Sequence, residues 1–382
     1  MSEARINRIS NELGTGGPVI SGITTFSGLN YFVPPSGTTA QRPSNCPAGS
    51  IRFNTDSAHL EYFDGLQWLE FEAFNNELGV SGALGNRGIF GFGEASPVFS
   101  NTIDYITIST LGNATDFGDT TTLRGDLGAC ASSTRGVFGG GENPSPFTFY
   151  NVIDYITISS TGNTTDFGDL INTAYDTGAL SSSTRGIFAY GTQGPGFTLV
   201  GKIEYITISS TGNSVSFGNL SQTRRPNAGS CSSSTRGIFA GGDTPTLLNT
   251  IDYITISSVG DAIDFGDLTE SRSIGSGCSN STRGLFMGGE LNPTTLTNVI
   301  SFITIASTGN AQDFGDLPST RSAAAAVSSP TRGVCGGGRA PTNSNLIEYV
   351  TIATTGNAQD FGDLTVARSL KGNGFSNGHG GL

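Results

Sequence analysis

One motif returns six times in a fixed order, and it limits what the chain can fold into more than any other feature. Arg-Gly followed by an apolar residue stands at Arg87, Arg135, Arg185, Arg236, Arg283 and Arg332, at spacings of 48, 50, 51, 47 and 49 residues. Behind each comes an Ile-acid-Tyr theme, beginning at Ile103, Ile153, Ile203, Ile251, Ile300 (as Ile-Ser-Phe) and Ile347 (as Ile-Glu-Tyr). A third marker, Asp-Phe-Gly-Asp, begins at Asp116, Asp166, Asp264, Asp313 and Asp360, with Ser216-Phe-Gly-Asn as its degenerate copy. A period of this size means one supersecondary unit repeated, each copy burying its apolar face against the next.

Within a unit, alternation, β-branched residues and Gly or Asn-Pro punctuation predict short strands and turns, with no helical period. For the fourth copy the expected strands are 276–279, 284–288, 251–257 and 263–268. Four-stranded units of this length predict an all-β fold, a six-bladed β-propeller over residues 77–382, with repeats near 87–134, 135–184, 185–235, 236–282, 283–331 and 332–382. Glycine, 56 of 382 residues, is about twice its usual share of roughly 7%, which suits many tight turns. Cys130, Leu180, Cys231, Cys278 and Val327 each lie five residues before the Arg of Arg-Gly, so this column is a buried apolar one and its cysteines are packing residues. The tail from Arg368 to Asn377 matches Arg272 to Asn280 with one insertion, placing Phe375 in that column. The C-terminal strand is therefore expected to complete the first blade and remove a free sheet edge.

The order Gly237-Ile-Phe-Ala-Gly-Gly, Asn249-Thr-Ile-Asp-Tyr, Phe265-Gly-Asp-Leu, Arg272-Ser resembles a Kelch repeat. The departure is Phe117, Phe167, Phe217, Phe265, Phe314 and Phe361, where Kelch repeats usually carry Trp. The resemblance implies a fold and leaves the partner open, since function lives in sites grafted on folds.

Residues 1–76 stand outside the repeat. Residues 49–76 read as a three-stranded meander, 51–54, 60–63 and 68–71, with Asp64-Gly65 as a hairpin turn. Residues 1–48, with Gly14 to Gly17, Pro34-Pro35 and Pro43, read as an extended arm. Such an arm needs another chain to cover Ile20, Ile23, Phe26, Tyr31 and Phe32. The stretches Ile6-Asn-Arg-Ile-Ser-Asn-Glu-Leu-Gly-Thr-Gly-Gly-Pro, Ile20-Ser-Gly-Ile-Thr-Thr-Phe-Ser-Gly and the Gly49 to Phe71 meander resemble N-terminal segments of virion structural proteins of tailed phages, marine cyanophages in particular. That resemblance covers about the first fifth of the chain. It implies an arm docked on other virion proteins, or pairing with copies of itself through residues 1–76, and a propeller displayed outward in the virion after synthesis in the host cytoplasm.

Composition narrows the chemistry. Nineteen Lys+Arg against 31 Asp+Glu give a net charge of −12, the wrong balance for gripping a nucleic-acid backbone. His59 and His379 are the only histidines, and no Cys-x-x-Cys occurs, which argues against a zinc site, a histidine relay or the copper chemistry known on some Kelch-like propellers. No acidic loop has calcium spacing. The Gly-rich runs at Gly139 and Gly336 lack the following helix of a phosphate loop. No apolar run is long enough for a membrane span, and the start lacks the apolar stretch of a signal peptide. No metal, cofactor or enzymatic activity is expected; a polysaccharide hydrolase is the enzymatic rival, through paired acids.

What recurs in every unit is expected to be scaffold, so the Arg of Arg-Gly and the Asp of Asp-Phe-Gly-Asp are read as partners between strands or blades. Function is expected where copies differ, between the Gly-Gly strand and the Ile-acid-Tyr strand. Phe99, Phe147, Phe149, Tyr150 and Phe197 fall there on consecutive units, and such loop aromatics offer apolar faces to a host-surface glycan or protein. The sequence thus predicts a binding protein of the virion, a tail fibre or appendage, with a capsid decoration or neck protein as the alternative.

Overall fold

A computed structural model of the chain describes residues 34–57, 59–70, 86–95, 98–144, 146–292 and 294–382. The chain divides into two units, Met1–Asn75 and Asn76–Leu382, and the described residues are all-β apart from a 3-10 turn at Thr39–Gln41.

In the first unit four strands form one sheet in the order Ser36–Gly37, Ile51–Asn54, His59–Phe63, Trp68–Glu70, the first pair parallel and the others antiparallel. Ser36–Gly37 lies inside the stretch expected to be a free arm. Buried Glu61 fastens the sheet to the preceding loop: it accepts from Arg42 Nη2 at 2.7 Å and Asn54 Nδ2 at 3.3 Å, and faces Arg52 Nη1 at 3.4 Å. Phe71 and the docking residues Ile20, Ile23, Phe26, Tyr31 and Phe32 lie outside the described residues.

The second unit holds six antiparallel four-stranded sheets, here I to VI. Sheet I consists of Gly374–Ser376, Arg87–Gly91, Thr102–Thr107 and Thr115–Asp119; sheet II of Gly128–Ala131, Arg135–Gly139, Val152–Thr157 and Thr165–Asp169; sheet III of Ala174–Ser181, Arg185–Gln193, Thr198–Thr207 and Val215–Asn219. Sheets IV, V and VI begin at Ser230–Ser232, Ser276–Ser279 and Ala325–Ser328. The expected grouping of the fourth copy needs correction. Ser276–Ser279 pairs with Arg283–Asn292 in sheet V, whereas Thr246–Thr255 and Ile263–Asp267 are the third and fourth strands of sheet IV. A tight turn at Asn280, whose Oδ1 accepts from the backbone of Thr282 and Arg283, makes 276–279 the hairpin partner of the strand on its C-terminal side. The same offset sends the last strand to sheet I, with Gly374 opposite Phe90, Phe375 opposite Ile89 and Ser376 opposite Gly88. Phe375 thus sits where Cys231 faces Ile238 and Cys278 faces Leu285.

First strands adjoin one another in the order I to VI, and that of VI adjoins that of I. Their last residues are linked by hydroxyls: Ser181 Oγ donates to Ala131 O, Ser232 to Ser181 O and Ser279 to Ser232 O, each at 2.7 Å, then Ser328 to Ser279 O at 2.8 Å, and Ser376 to Ser328 O. Ala131 has no hydroxyl, and half-buried His379 stands beside it, its Nε2 2.8 Å from Ala131 O and 3.2 Å from Ser181 Oγ.

Apolar cores lie between neighbouring sheets: Leu180, Ile187 and Phe217 of III meet Phe239, Ile254 and Ala262 of IV. Each such side chain contributes about 1.5–3 kcal/mol when fully buried. Cys130, Cys231, Cys278 and Cys335 are free and buried in these layers, and burial pushes the Cys130 thiol up to about 12.

Two further sets of contacts join neighbours. The Arg of Arg-Gly lies over the aromatic ring of its own third strand, as Arg236 does over Tyr253 at 4.5 Å. Its Nη1 donates to a carbonyl of the next sheet: Arg87 to Ile158 O, Arg135 to Ile208 O, Arg185 to Ile256 O, Arg236 to Ile305 O, Arg283 to Ile352 O and Arg332 back to Ile108 O, all within 2.6–3.0 Å. At the outer strand the expected carboxylate partnership is instead a backbone one. The N–H after the glycine, such as that of Asp267, donates to the side chain of the next sheet's Gly-Asn turn, here Asn310 at 3.1 Å. That approach requires glycine: Gly266 has φ +145°, and a Cβ there falls 2.6 Å from Gly309 C and O.

Candidate functional site

Five arginines, Arg124, Arg224, Arg272, Arg321 and Arg368, are fully buried just ahead of a first strand. They meet the acid of the Ile-acid-Tyr theme: Arg124 with Asp154 at 2.8 Å, Arg224 with Asp252 at 2.7 Å, Arg368 with Asp104 at 3.1 Å, and Arg321 with Glu348. A guanidinium removed from water demands such a partner. Ser301 replaces the acid in the fifth unit, so Arg272 bonds Ser301 Oγ at 3.1 Å and lies 3.6 Å from Glu270; burial then lowers its pKa to about 10. The third unit has Ala174 in the arginine column, and Tyr190 Oη donates to Glu204 at 2.5 Å instead. Asp104, Glu204 and Asp252 also accept from the end of the preceding sheet's outer strand, as Asp252 does from Ser221 Oγ at 2.6 Å. They are joints, and leave no free carboxylate for chemistry.

The third unit's departure makes room for something else. Where other units place Arg-Gly, Arg-Arg or Arg-Ser, it has Ala174-Tyr175. Tyr175 meets two of the five predicted loop aromatics, Phe149 and Phe197, and these two in turn hold Phe147. Phe147 and Phe149 lie on a hairpin, Glu142–Pro144 with Phe147–Phe149, inserted in the second unit. Phe197 stands at the turn between Arg185–Gln193 and Thr198–Thr207. Ring centroids are 5.0 Å apart for Phe147 and Phe149, 5.4 Å for Phe147 and Phe197, 5.2 Å for Phe149 and Phe197, and 5.1 Å for Phe149 and Tyr175. Phe149 lies so close over Gly194 that a Cβ there falls 2.5 Å from its ring. Phe147 and Phe197 remain 50% and 56% exposed, a large apolar surface held open by the two partners beneath it. The other two predicted aromatics lie apart from this group. Phe99 covers Gly125, and Tyr150 joins the backbone, its N–H on Gly141 O and its carbonyl accepting from Ala174.

Beside the aromatics, one residue per unit approaches the start of the first strands: Asp126, Asp176, Asn227, Ile274, Ala323 and Lys371. Five of these, all but Ala323, line a cavity of about 20 Å³ together with Thr177, room for one water-sized group. Lys371 Nζ pairs with Asp126 Oδ2. Arg225 lies 3.1 Å from Asp243 and 3.6 Å from Asp176. Glu142, directly across the hairpin from Phe149, is pushed up to about 7, by burial first and then by the charge of Asp126. Asp176 is likewise pushed up to about 7 by burial and by Asp126. Burial pulls Lys371 down, but the charge and hydrogen bond of Asp126 outweigh it and leave its pKa raised. Two buried polar atoms of the cavity-lining residues have no partner: Thr177 Oγ1, in a residue that is 8% exposed, and Asp126 Oδ1.

Sequence reasoning missed Tyr175 and the cavity residues. The one visible signal was the broken arginine column at Ala174. Among the described residues no cluster of His, Cys, Asp and Glu has the arrangement to hold a metal ion, and no helix is long and apolar enough to cross a membrane. No protein-family model matches the chain, and no curated protein is significantly similar to it.

Proposed function

We propose that the chain is a structural protein of a tailed-phage virion, a tail fibre or appendage whose second unit is a six-bladed Kelch-like β-propeller displayed for binding. The resemblance of the N-terminal stretches to cyanophage virion proteins carries the virion part. In that reading residues 1–48 dock on other virion proteins, and residues 1–76 serve any pairing between copies. The propeller part is supported by six four-stranded sheets with first strands adjoining in a cycle and by the arginine-to-carbonyl series that returns from sheet VI to sheet I. Binding is supported by the half-exposed Phe147 and Phe197, with a host-surface glycan or protein as the partner. Many weak contacts of this kind gain strength from copy number on a particle.

The hydrolase reading has one foothold, the raised Glu142 beside Asp126. Glycosidase carboxyls stand about 5–9.5 Å apart to flank a glycosidic bond, whereas the cavity that Asp126 lines has room for one water-sized group only, which favours binding. Immunogold electron microscopy of purified particles, with an antibody against residues 80–382, tests the proposal. Label at the distal tail is expected; label over the head or neck favours decoration. No label on any particle, with the protein present in the infected cell, overturns the virion assignment.

A further inference from the structure

The cavity at the start of the first strands and the aromatic group adjoin through the first strand of sheet III. Glu142 and Phe149 are cross-strand partners, Phe149 contacts Tyr175, and Tyr175 is followed by Asp176 and Thr177. We propose that this surface binds an uncharged or amino-bearing pyranose, with one hydroxyl or amino group in the cavity and the sugar ring lying on Phe147 and Phe197. The proposal rests on reading the second unit as a binding module and names the ligand class of that site.

Three features select this ligand. Thr177 Oγ1 is buried without a partner, and Asp126 Oδ1 and Asp176 beside it are acceptors, so the missing group is a donor. Lys371 and Arg225, the cations facing the cavity, are already paired with Asp126 and Asp243. Asp126, Asp176, Asp243 and Glu142 outnumber Lys371 and Arg225 around it, and Glu142 and Asp176 are raised by burial first and then by the charge of Asp126, an arrangement that repels a uronate or sialate and favours an ammonium. The cavity admits only one small group, so the body of the ligand must lie outside, where the exposed material is flat and apolar. Pyranose C–H faces stack on such rings while their substituents seek polar partners.

Saturation-transfer NMR and calorimetry on the full chain test this, with methyl glycosides of glucose, galactose and mannose, their 2-amino forms, and methyl glucuronide. At least one neutral or amino sugar is expected to bind, and glucuronide is not. Thr177→Val, nearly isosteric, and Phe197→Ala, at an exposed site, are each expected to weaken that binding about tenfold with thermal midpoints close to wild type. No binding of any neutral or amino sugar by folded protein overturns the proposal. So does glucuronide binding equally well, or unchanged binding in both variants. Purified chain reports on the sugar and labelled particles on the virion assignment, so either can fail alone.

Discussion

Phe375→Ala isolates the joint between the two ends of the repeat array. The Phe375 side chain is 4% exposed, packs 5.0 Å from the Phe138 ring of sheet II and covers Gly136, where a Cβ falls 2.0 Å from it. Truncating a buried Phe costs about 3–5 kcal/mol, the transfer term plus the cavity left behind. The gap is hard to fill, because both neighbours that touch it are strand positions fixed by their own ladders. The second unit is Asn76–Leu382; at about 2.1 cal/mol/K per residue the loss corresponds to a fall of about 5–8 °C in the thermal midpoint. Phe375→Leu, which copies the Leu180 of sheet III, should cost only about 1 kcal/mol. Urea and thermal unfolding followed by circular dichroism measure both. A Phe375→Ala protein within about 0.5 kcal/mol of wild type, the range of an exposed substitution, refutes insertion of the last strand into sheet I.

Other substitutions probe the joints between sheets. Gly266→Ala should cost about 2 kcal/mol or more in the same unfolding assay, since the backbone there is left-handed and the next sheet's Gly309 occupies the space of a side chain. Asp252→Ala should cost about 3–5 kcal/mol by leaving Arg224 buried without its carboxylate; a change below about 1 kcal/mol contradicts the buried pair. Stability should also depend on pH through the cavity. Glu142 and Asp176 are raised to about 7 from 4.5 and 3.8, so between about pH 4 and 7 the folded chain holds protons that the unfolded chain releases. The unfolding free energy from these groups therefore rises as pH falls through 7 and levels near 4. Asp126, Asp243, Lys371 and Arg225 set the local field. Glu142→Gln should flatten that slope and stabilise the protein at pH 8 by about 1 kcal/mol after solvent screening; equal urea-midpoint slopes in both proteins contradict it. His379 acts in the opposite sense, because burial lowers its pKa and its contribution is lost as pH falls below its ordinary value.

The repeats were legible because their markers are geometric necessities. Gly266 and its equivalents must admit a neighbour's turn, and Arg236 and its equivalents must reach a neighbour's carbonyl, so neither position tolerates drift. The column of Cys278 was legible from exchange of Cys with Leu and Val, and it led to Phe375 despite one inserted residue. Strand grouping was less legible, since a motif order fixes no boundary and 276–279 lies midway between two possible partners. The buried arginines were hidden by their setting: Arg224 and Arg272 sit in polar Ser- and Thr-rich segments that read as solvated loops, and the acids they meet alternate along a strand as outward residues do. Phe147, Phe149 and Phe197 were legible as variable-loop aromatics. Tyr175 was not, because it belongs to a first strand, where aromatics read as core. The cavity was invisible because its lining is drawn from five units, one or two residues from each, and insertions at Pro226 and near Lys371 shift two of them.

The proposed propeller and the proposed binding surface both depend on closure of the six sheets, and amide hydrogen exchange tests it most directly. The last ten residues are engaged along their length: Gly91 N–H donates to Asn373 O, Asn377 N–H to Arg87 O and Gly380 N–H to Ser279 O. A peptic fragment spanning residues 373–382 should exchange as slowly as one from Arg236–Thr244, at the rate set by global opening. Complete exchange of that fragment at the earliest time point, with Arg236–Thr244 still protected, contradicts closure.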